Sequence, residues 1–472
     1  MASPGTATQP LRVAIVGSGP SGFYAAGHLL KAKSHPDLAV QVDVYDRLPT
    51  PWGLVRGGVA PDHPNIKAVS RVYEKTAAHP EFRFFGNVEI GAEVSRHDLL
   101  SRYHAVIYAV GAAADRRMNI PGEDLPGSWA ATEFVAWYNG HPDYRDLEFD
   151  LSGERAVVIG NGNVAADVAR MLALTREELA ATDVADHALE VLAESRIREV
   201  VVLGRRGPAQ AAFTNPEMLE LGEMGHADVY VDSRDVELDP LSRTWLDSDA
   251  ASATPRKNVE ILHGYAGREP AGKPRRIVLR FLVSPVEILG TERVEGIRIC
   301  RNELRDDGGG LRAFSTDVTE EIDCGIVFRS IGYRGIPLED VPFDERAAVI
   351  RNERGRVLAD EGRRLPGEYA VGWIKRGPTG IIGTNKRDAQ ETVDALLEDL
   401  DAGRLPDPPD ASPESAEQLL AERCPEHVTY SGWEAIDRVE KEAGEAHGRP
   451  RVKLTTKQEL LDAARERAGV RP

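Results

Sequence analysis

Leu11–Val16 (LRVAIV) is a short apolar run that ends in glycine, and residues 21–30 follow with apolar side chains at helical spacing. That order predicts strand, tight turn and helix. Val40–Tyr45 (VQVDVY) alternates, so residues 11–45 predict one βαβ unit, whose crossover is right-handed in nearly all proteins. The same grammar returns at Arg155–Ile159 (RAVVI), residues 160–174 and residues 200–203 (VVVL). Two parallel α/β units are therefore expected. Residues 46–67 and 115–127 are rich in Pro and Gly without sustained periodicity and read as long loops. Short strands and polar connectors are expected over 232–310, including residues 276–283 (RIVLRFLV) and 294–300. Residues 383–400 predict one helix with late apolar positions at Val393, Leu396, Leu397 and Leu400. The Pro-rich connector 405–413 (LPDPPDASP) follows, and then further helices.

A chain of 472 residues, 42% hydrophobic and 28% charged, predicts two or three globular domains. Its net charge of −18 excludes generic nucleic-acid binding, because a duplex would meet a repulsive field. Cys300, Cys324 and Cys424 have no spacing that suits a disulfide framework, a C-x-x-C redox pair, a zinc knuckle or an iron-sulfur cluster. A reducing compartment fits. Residues 1–10 carry no basic leader, so a cytoplasmic and bacterial location is expected. The most apolar stretch, 11–30, is cut by Gly17, Gly19, Pro20 and Gly22, where a membrane span needs about 20 unbroken apolar residues. No transmembrane segment is expected.

Gly17-Ser18-Gly19-Pro20-Ser21-Gly22 is a G-x-G-x-x-G set between a strand and a helix, the context in which glycines permit a tight turn, close approach to a pyrophosphate and close helix packing. Asp46, at the end of the second strand, would accept hydrogen bonds from ribose hydroxyls. Gly160-Asn161-Gly162-Asn163-Val164-Ala165 is a second fingerprint in the G-x-G-x-x-A form. Its second strand ends in Gly204-Arg205-Arg206-Gly207, where two guanidiniums suit a 2′-phosphate. One site with an acid and one with an arginine pair suggest FAD and NADP(H), with hydride passing between them. The turn 377–383 (GPTGIIG) ahead of a helix would set N–H groups and a positive helix end at charge developing on the flavin.

The segments RVAIVGSGPSGFYAA, RLPTPWGLVRGGVAPDHPNIK, VVIGNGNVAADVAR, GRRGPAQAAFT, RSIGY and GWIKRGPTGIIGTNK run in family order, and through them the chain resembles the adrenodoxin reductase-like ferredoxin-NADP reductases. The resemblance implies two Rossmann-like dinucleotide-binding domains, the NADP domain (113–334) inserted into an FAD domain made of 11–112 and 335–472. It implies FAD contacts at Gly17, Gly19, Ser21, Gly22, Asp46, Leu54, Val88, Trp373, Gly380, Ile381 and Ile382. Asp46 departs from the Glu usual in the family. On the nicotinamide side it implies Arg116, Asn161, Gly162, Asn163, Val164, Arg205, Arg206, Glu217 and the main chain of Gly380. His63 and Asp167 look like the family's catalytic pair.

The family reaction takes a hydride from NADPH and delivers its electrons singly to an acidic ferredoxin-type iron-sulfur protein. A local basic face is then needed on an acidic chain, and Arg256, Lys257, Arg275, Arg276, Lys375 and Arg376 are the docking bases expected. Two other readings share these cofactors: an NADPH-dependent flavoprotein that reduces quinone or oxygen, and a non-catalytic NADPH-binding electron-transfer subunit. A disulfide reductase is excluded by the lack of a cysteine pair.

Overall fold

The computed structural model describes residues 4–308 and 310–466. Two compact units divide the chain: Met1–Val59, His63–Ala114 and Tyr333–Pro472 form one, and Ala60–Asp62 with Asp115–Gly332 form the other. Both have the layered α/β architecture that the strand and helix patterns predict.

The first unit is built on an eight-stranded sheet with five parallel strands at its centre, in the order Arg364–Ala370, Ala105–Tyr108, Leu11–Val16, Val40–Tyr45 and Phe82–Gly86. Short antiparallel strands close both edges. Leu11–Val16 is buried at every position, as a central parallel strand covered on both faces must be. On one face, Phe23, Ala26 and Leu29 of helix Pro20–Leu29 and Val393, Leu396 and Leu400 of helix Thr384–Asp401 pack against Val13, Ile15 and Ile107. Trp433 and Ile436 of helix Tyr430–Glu445 extend that layer. Each fully buried Val, Leu, Ile or Phe contributes roughly 1.5–3 kcal/mol. The alternation of VQVDVY does not bring Asp43 to the surface. Asp43 is buried, with Arg12 at 2.7 Å and Arg83 at 2.6 Å, and accepts the Tyr103 hydroxyl at 2.5 Å. Two cations and a phenol replace the water that the carboxylate gives up.

The second unit has a six-stranded, fully parallel sheet in the order Ser128–Ala130, Ile326–Arg329, Arg155–Ile159, Glu199–Gly204, Arg275–Phe281 and Ala227–Val231. An antiparallel sheet of Val283–Leu289, Gly296–Asp306 and Leu311–Asp323 packs Val283, Ile288, Ile297 and Ile299 against Val157, Val201 and Leu203 of the first sheet. The apolar run 276–283 is therefore not one strand. Leu282 adopts φ 54°, and the chain leaves the parallel sheet there to begin the antiparallel one. Among the described residues, no helix is long and apolar enough to cross a membrane.

Candidate functional site

In the first unit the fingerprint turn is set by backbone crowding. Gly17 has φ +108°, and a Cβ there would lie 2.5 Å from the Ala109 carbonyl oxygen. A Cβ on Gly22 would lie 2.1 Å from the Gly17 oxygen. Gly19 differs, since a Cβ would meet nothing nearer than the Gly53 Cα at 4.0 Å. Gly17 and Gly22 thus close the turn, and Gly19 leaves open space beside helix Pro20–Leu29, whose first N–H groups have no side-chain cap. An open cradle under a helix N-terminus fits the pyrophosphate of FAD.

Asp46 is already engaged: Oδ2 accepts the Ser18 N–H at 2.9 Å and the Ser18 hydroxyl at 2.5 Å, and Oδ1 accepts the Leu48 N–H at 2.9 Å. A carboxylate offers roughly four acceptor positions, so about one remains for a ribose hydroxyl. Loss of water raises its pKa despite these donors. Val88 is buried and donates its N–H to the Asp46 carbonyl at 2.9 Å.

The loop after Asp46 is drawn onto the fingerprint. Trp52 holds φ 85° and Gly53 φ 50°; the Trp52 N–H donates to the Ser18 oxygen at 3.1 Å. A bulky residue at positive φ is strained. The strain is offset where the Trp52 indole packs on Phe23 (centroids 4.7 Å apart), Tyr73 and Trp433. Leu54 stands partly exposed beside it. Arg56 then pairs with the fully buried Glu440 at 2.5 and 2.8 Å. Glu440 also accepts Arg451 at 2.9 Å and the Leu454 N–H at 2.9 Å, so the C-terminal segment holds the loop down.

From the third segment of this unit, Gly372 (φ +79°) comes so close to Ser21 that a Cβ would lie 2.5 Å from its hydroxyl oxygen. Trp373 follows and donates its indole N–H to the Thr379 oxygen at 3.2 Å. Gly380 has φ +80°, Ile381 is exposed and Ile382 half-buried, and the uncapped start of helix Thr384–Asp401 lies next. Ser21, Trp373 and Gly380–Ile382 thus gather near the first fingerprint. His63 is buried at the start of the short helix Pro64–Lys67, with its carbonyl accepting from Ile66 and Lys67.

The second unit repeats the device. Gly160 has φ +138°, with a Cβ position 2.1 Å from the Ser330 oxygen, whereas a Cβ on Gly162 would meet only the Ala212 methyl at 3.9 Å. Ala165 is buried in helix Asn163–Ala173, close-packed where the third glycine usually sits. The Asn161 side-chain N–H₂ is buried without a hydrogen-bond partner among the described residues, in the turn where a pyrophosphate would lie. Asn163 accepts the Thr214 N–H at 2.8 Å and Val164 is half-buried. These features fit NADP. Arg205 and Arg206 follow strand Glu199–Gly204 and border a cavity of about 460 Å³. Burial, and then the charge of Arg205, lower the Arg206 pKa, so an anion there would relieve both penalties. Arg116 is exposed and its N–H donates to the Gly332 oxygen at 3.1 Å.

Asp167 and Glu217 are buried and share a residue that the sequence reading missed. Arg170, 3% exposed, donates to Asp167 at 2.9 Å, to Glu217 at 2.8 Å and to Asp62 at 3.0 and 3.1 Å. The i, i+3 spacing of Asp167 and Arg170 was the available signal. Burial opposes the Arg170 charge, but the carboxylates prevail and its pKa rises.

The expected docking bases do not form one free set. Lys375 is buried and held by Asp388 at 3.0 Å and Glu391 at 2.6 Å, so it is withdrawn as a docking residue. Arg376 is tied to Asp388 at 3.4 Å and Asn385 at 3.1 Å. Arg275 caps helix Asn163–Ala173 through the Leu172 and Leu174 carbonyls at 3.1 and 2.6 Å. Arg256, Lys257 and Arg276 keep exposed side chains, although Arg256 bonds the Leu246 carbonyl, Lys257 pairs with Glu260 and Arg276 with Glu199. The three cysteines are free and buried, and burial pushes the Cys324 thiol up to about 12 and the Cys424 thiol up to about 11. Such thiols are poor nucleophiles.

Residues 11–202 match the pyridine nucleotide-disulphide oxidoreductase family. The chain is similar to the NADPH-ferredoxin reductase FprA of Mycobacterium tuberculosis, 52% identical over 461 residues that cover 96% of this chain and 99% of the relative. It is also similar to the mitochondrial NADPH:adrenodoxin oxidoreductase of Salvelinus fontinalis, 42% identical over 96% of this chain and 91% of that one. The solved structure of Mycobacterium tuberculosis FprA in complex with NADPH superimposes with a TM-score of 0.90 at 52% identity, over 97% of this chain and all of the other.

Gly19→Ala and Gly162→Ala should leave the melting temperature of the cofactor-free protein unchanged and weaken retention of FAD and binding of NADPH respectively, whereas Gly17→Ala and Gly160→Ala should fail to fold stably; melting curves of the cofactor-free variants and dinucleotide titration separate the two kinds. Glu440→Gln should lose about 3–5 kcal/mol in urea unfolding, the usual consequence of breaking a buried pair. Burial opposes the Glu440 charge, but Arg56 and Arg451 hold its pKa below the ordinary value, so its contribution is present above the unfolded pKa and fades as pH falls through the folded one. The gap between wild type and Glu440→Gln should therefore narrow below pH about 4.5. Arg170→Met should destabilise by a similar 3–5 kcal/mol, and adding Glu217→Gln should recover part of that by removing one of three crowded carboxylates.

Proposed function

The chain belongs to the NADPH-ferredoxin reductase family, and from that membership we propose that it carries electrons from NADPH through bound FAD to a ferredoxin-type iron-sulfur protein. The observation that carries this reading is the pair of glycine cradles, one followed by an acid and the other by two arginines whose cavity has no carboxylate in its lining. The chemistry supplied by bound FAD is acceptance of a hydride from NADPH and release of its two electrons one at a time.

The residues of the first unit bind and orient. Gly19 and the N–H groups of helix Pro20–Leu29 would hold the FAD pyrophosphate, and Asp46 both fixes the turn through Ser18 and offers its remaining acceptor position to the ribose. Leu54, the main chain of Val88, Trp373, Gly380, Ile381 and Ile382 would line the flavin. Glu440 and Arg56 keep the Leu54 loop seated on the fingerprint. The start of helix Thr384–Asp401 would stabilise negative charge on the reduced ring.

In the second unit Gly162, Asn161, Asn163 and Val164 would hold the NADPH pyrophosphate, and Arg205 and Arg206 its 2′-phosphate. Glu217 would accept hydrogen bonds from the nicotinamide end, with Arg116 near the same ligand. We assign His63 and Asp167 to orienting groups and moving protons around the reaction, since hydride transfer itself needs no side-chain acid. Arg170 acts through Asp167 and Glu217 and is a positioning residue. An acidic iron-sulfur partner would meet exposed bases, for which Arg256, Lys257 and Arg276 remain available. The buried, unpaired thiols suit a reducing bacterial cytosol, where we place the reaction.

Stopped-flow reduction of the bound flavin tests the assignment. Arg205→Ala or Arg206→Ala should raise the NADPH concentration for half-maximal rate by about tenfold to a hundredfold, the equivalent of losing a charge-assisted bond of about 1.5–3 kcal/mol, and leave NADH unaffected. Asp167→Ala should slow reduction with FAD still bound. Equal losses with NADPH and NADH would refute the arginine selector.

A further inference from the structure

The Arg205-Arg206 turn is not fixed by its own sheet alone. The Arg205 carbonyl accepts the Asn302 side-chain N–H at 2.8 Å, and the Arg206 carbonyl accepts the Leu282 N–H at 3.1 Å. Both donors belong to the antiparallel sheet or its entry. Asn302 is 6% exposed, makes a second bond to the Ser284 hydroxyl at 2.8 Å and donates its N–H to the Leu282 carbonyl at 2.7 Å. It sits at a register shift between Cys300 and Asn302, and such bulges re-aim a strand's side chains. The sheet that looks like decoration therefore grips the turn that selects the cofactor.

The same sheet also supplies charge. The cavity of about 460 Å³ beside Arg205 and Arg206 has its other wall in Gly310, Leu311, Arg312 and Ala313, at the start of strand Leu311–Asp323. Among the described residues its lining holds three arginines and no Asp or Glu. Arg312 is exposed, and Asp307 pairs with its Nε at 2.5 Å, which ties the side chain to the turn at the start of its strand. Three arginines on the walls of one cavity suit a dianionic phosphate monoester far better than a ribose diol.

We propose that Arg312 is a third ligand of the NADPH 2′-phosphate, contributed by the antiparallel sheet across from Arg205 and Arg206. This rests on the assignment of Arg205 and Arg206 to that phosphate. Specificity for NADPH is then shared between two sheets of the same unit, and the hairpin Gly296–Asp323 takes part in substrate selection.

Calorimetric titration of the FAD-loaded full chain with 2′,5′-ADP and with 5′-AMP, which lacks the 2′-phosphate, tests this without turnover. Arg312→Ala lies on an exposed strand and should melt as wild type does. It should weaken 2′,5′-ADP about tenfold and leave 5′-AMP unchanged, with Arg312→Lys intermediate. Wild-type affinity for 2′,5′-ADP in Arg312→Ala, together with a loss in Arg205→Ala, would overturn the role of Arg312 alone. If neither variant weakens 2′,5′-ADP relative to 5′-AMP, the arginine-pair assignment falls and this inference with it.

Discussion

The protein depends on one steric constraint: at two strand ends the backbone runs so close to a neighbouring carbonyl that no side chain fits. The Cβ positions of Gly17 and Gly160 lie 2.5 and 2.1 Å from the Ala109 and Ser330 oxygens. That contact turns each strand sharply into its helix and leaves the first helical N–H groups without side-chain caps. The next glycine of each fingerprint, Gly19 or Gly162, then faces open space. A dinucleotide pyrophosphate is the ligand whose charge and bulk such a place accommodates. In the proposed reading the residues at the end of the next strand, Asp46 in one unit and Arg205 with Arg206 in the other, would decide which dinucleotide each cradle receives.

Arginine does two different jobs around these cradles. Arg170 is buried and surrounded by carboxylates, and Arg56 reaches a fully buried Glu440; each ties a loop to a helix by a buried ion pair. Arg12 and Arg83, on the two neighbouring strands, hold Asp43 inside the first sheet. In these clusters removing one partner leaves an uncompensated charge in a poor solvent, which is why they hold geometry firmly. Arg205 and Arg206 stand apart, because burial and the charge of Arg205 act on Arg206 with no carboxylate among the described residues to answer them. Arginines paired with buried carboxylates build the frame, and the anion proposed for Arg205 and Arg206 would supply the countercharge that the second kind lacks among the described residues.

Local features were legible in the sequence. The apolar run Leu11–Val16, the glycines after it and the amphipathic helix beyond obey short-range rules, as do Arg155–Ile159 and helix Thr384–Asp401. Pairings over long separations were not. Arg56 and Glu440 lie 384 positions apart, and neither has a local pattern that announces the other. Lys375 reads as a surface base until Asp388 and Glu391, on helix Thr384–Asp401, are seen to enclose it. The run 276–283 has the composition of one strand, and only the left-handed backbone at Leu282 divides it between two sheets. Alternation in VQVDVY was likewise overridden, since Asp43 is satisfied by cations inside the sheet rather than by water.

In the proposed reaction, electrons that enter as a pair from NADPH leave singly to an iron-sulfur protein. Anaerobic mixing of the FAD-loaded protein with a limiting amount of NADPH and an excess of oxidised ferredoxin, with the ferredoxin absorbance followed to completion, tests it most directly. About two ferredoxins should be reduced for each NADPH consumed, as a hydride's two electrons require. Consumption of NADPH with the ferredoxin left oxidised, and electrons recovered only when oxygen or quinone is admitted, would contradict it.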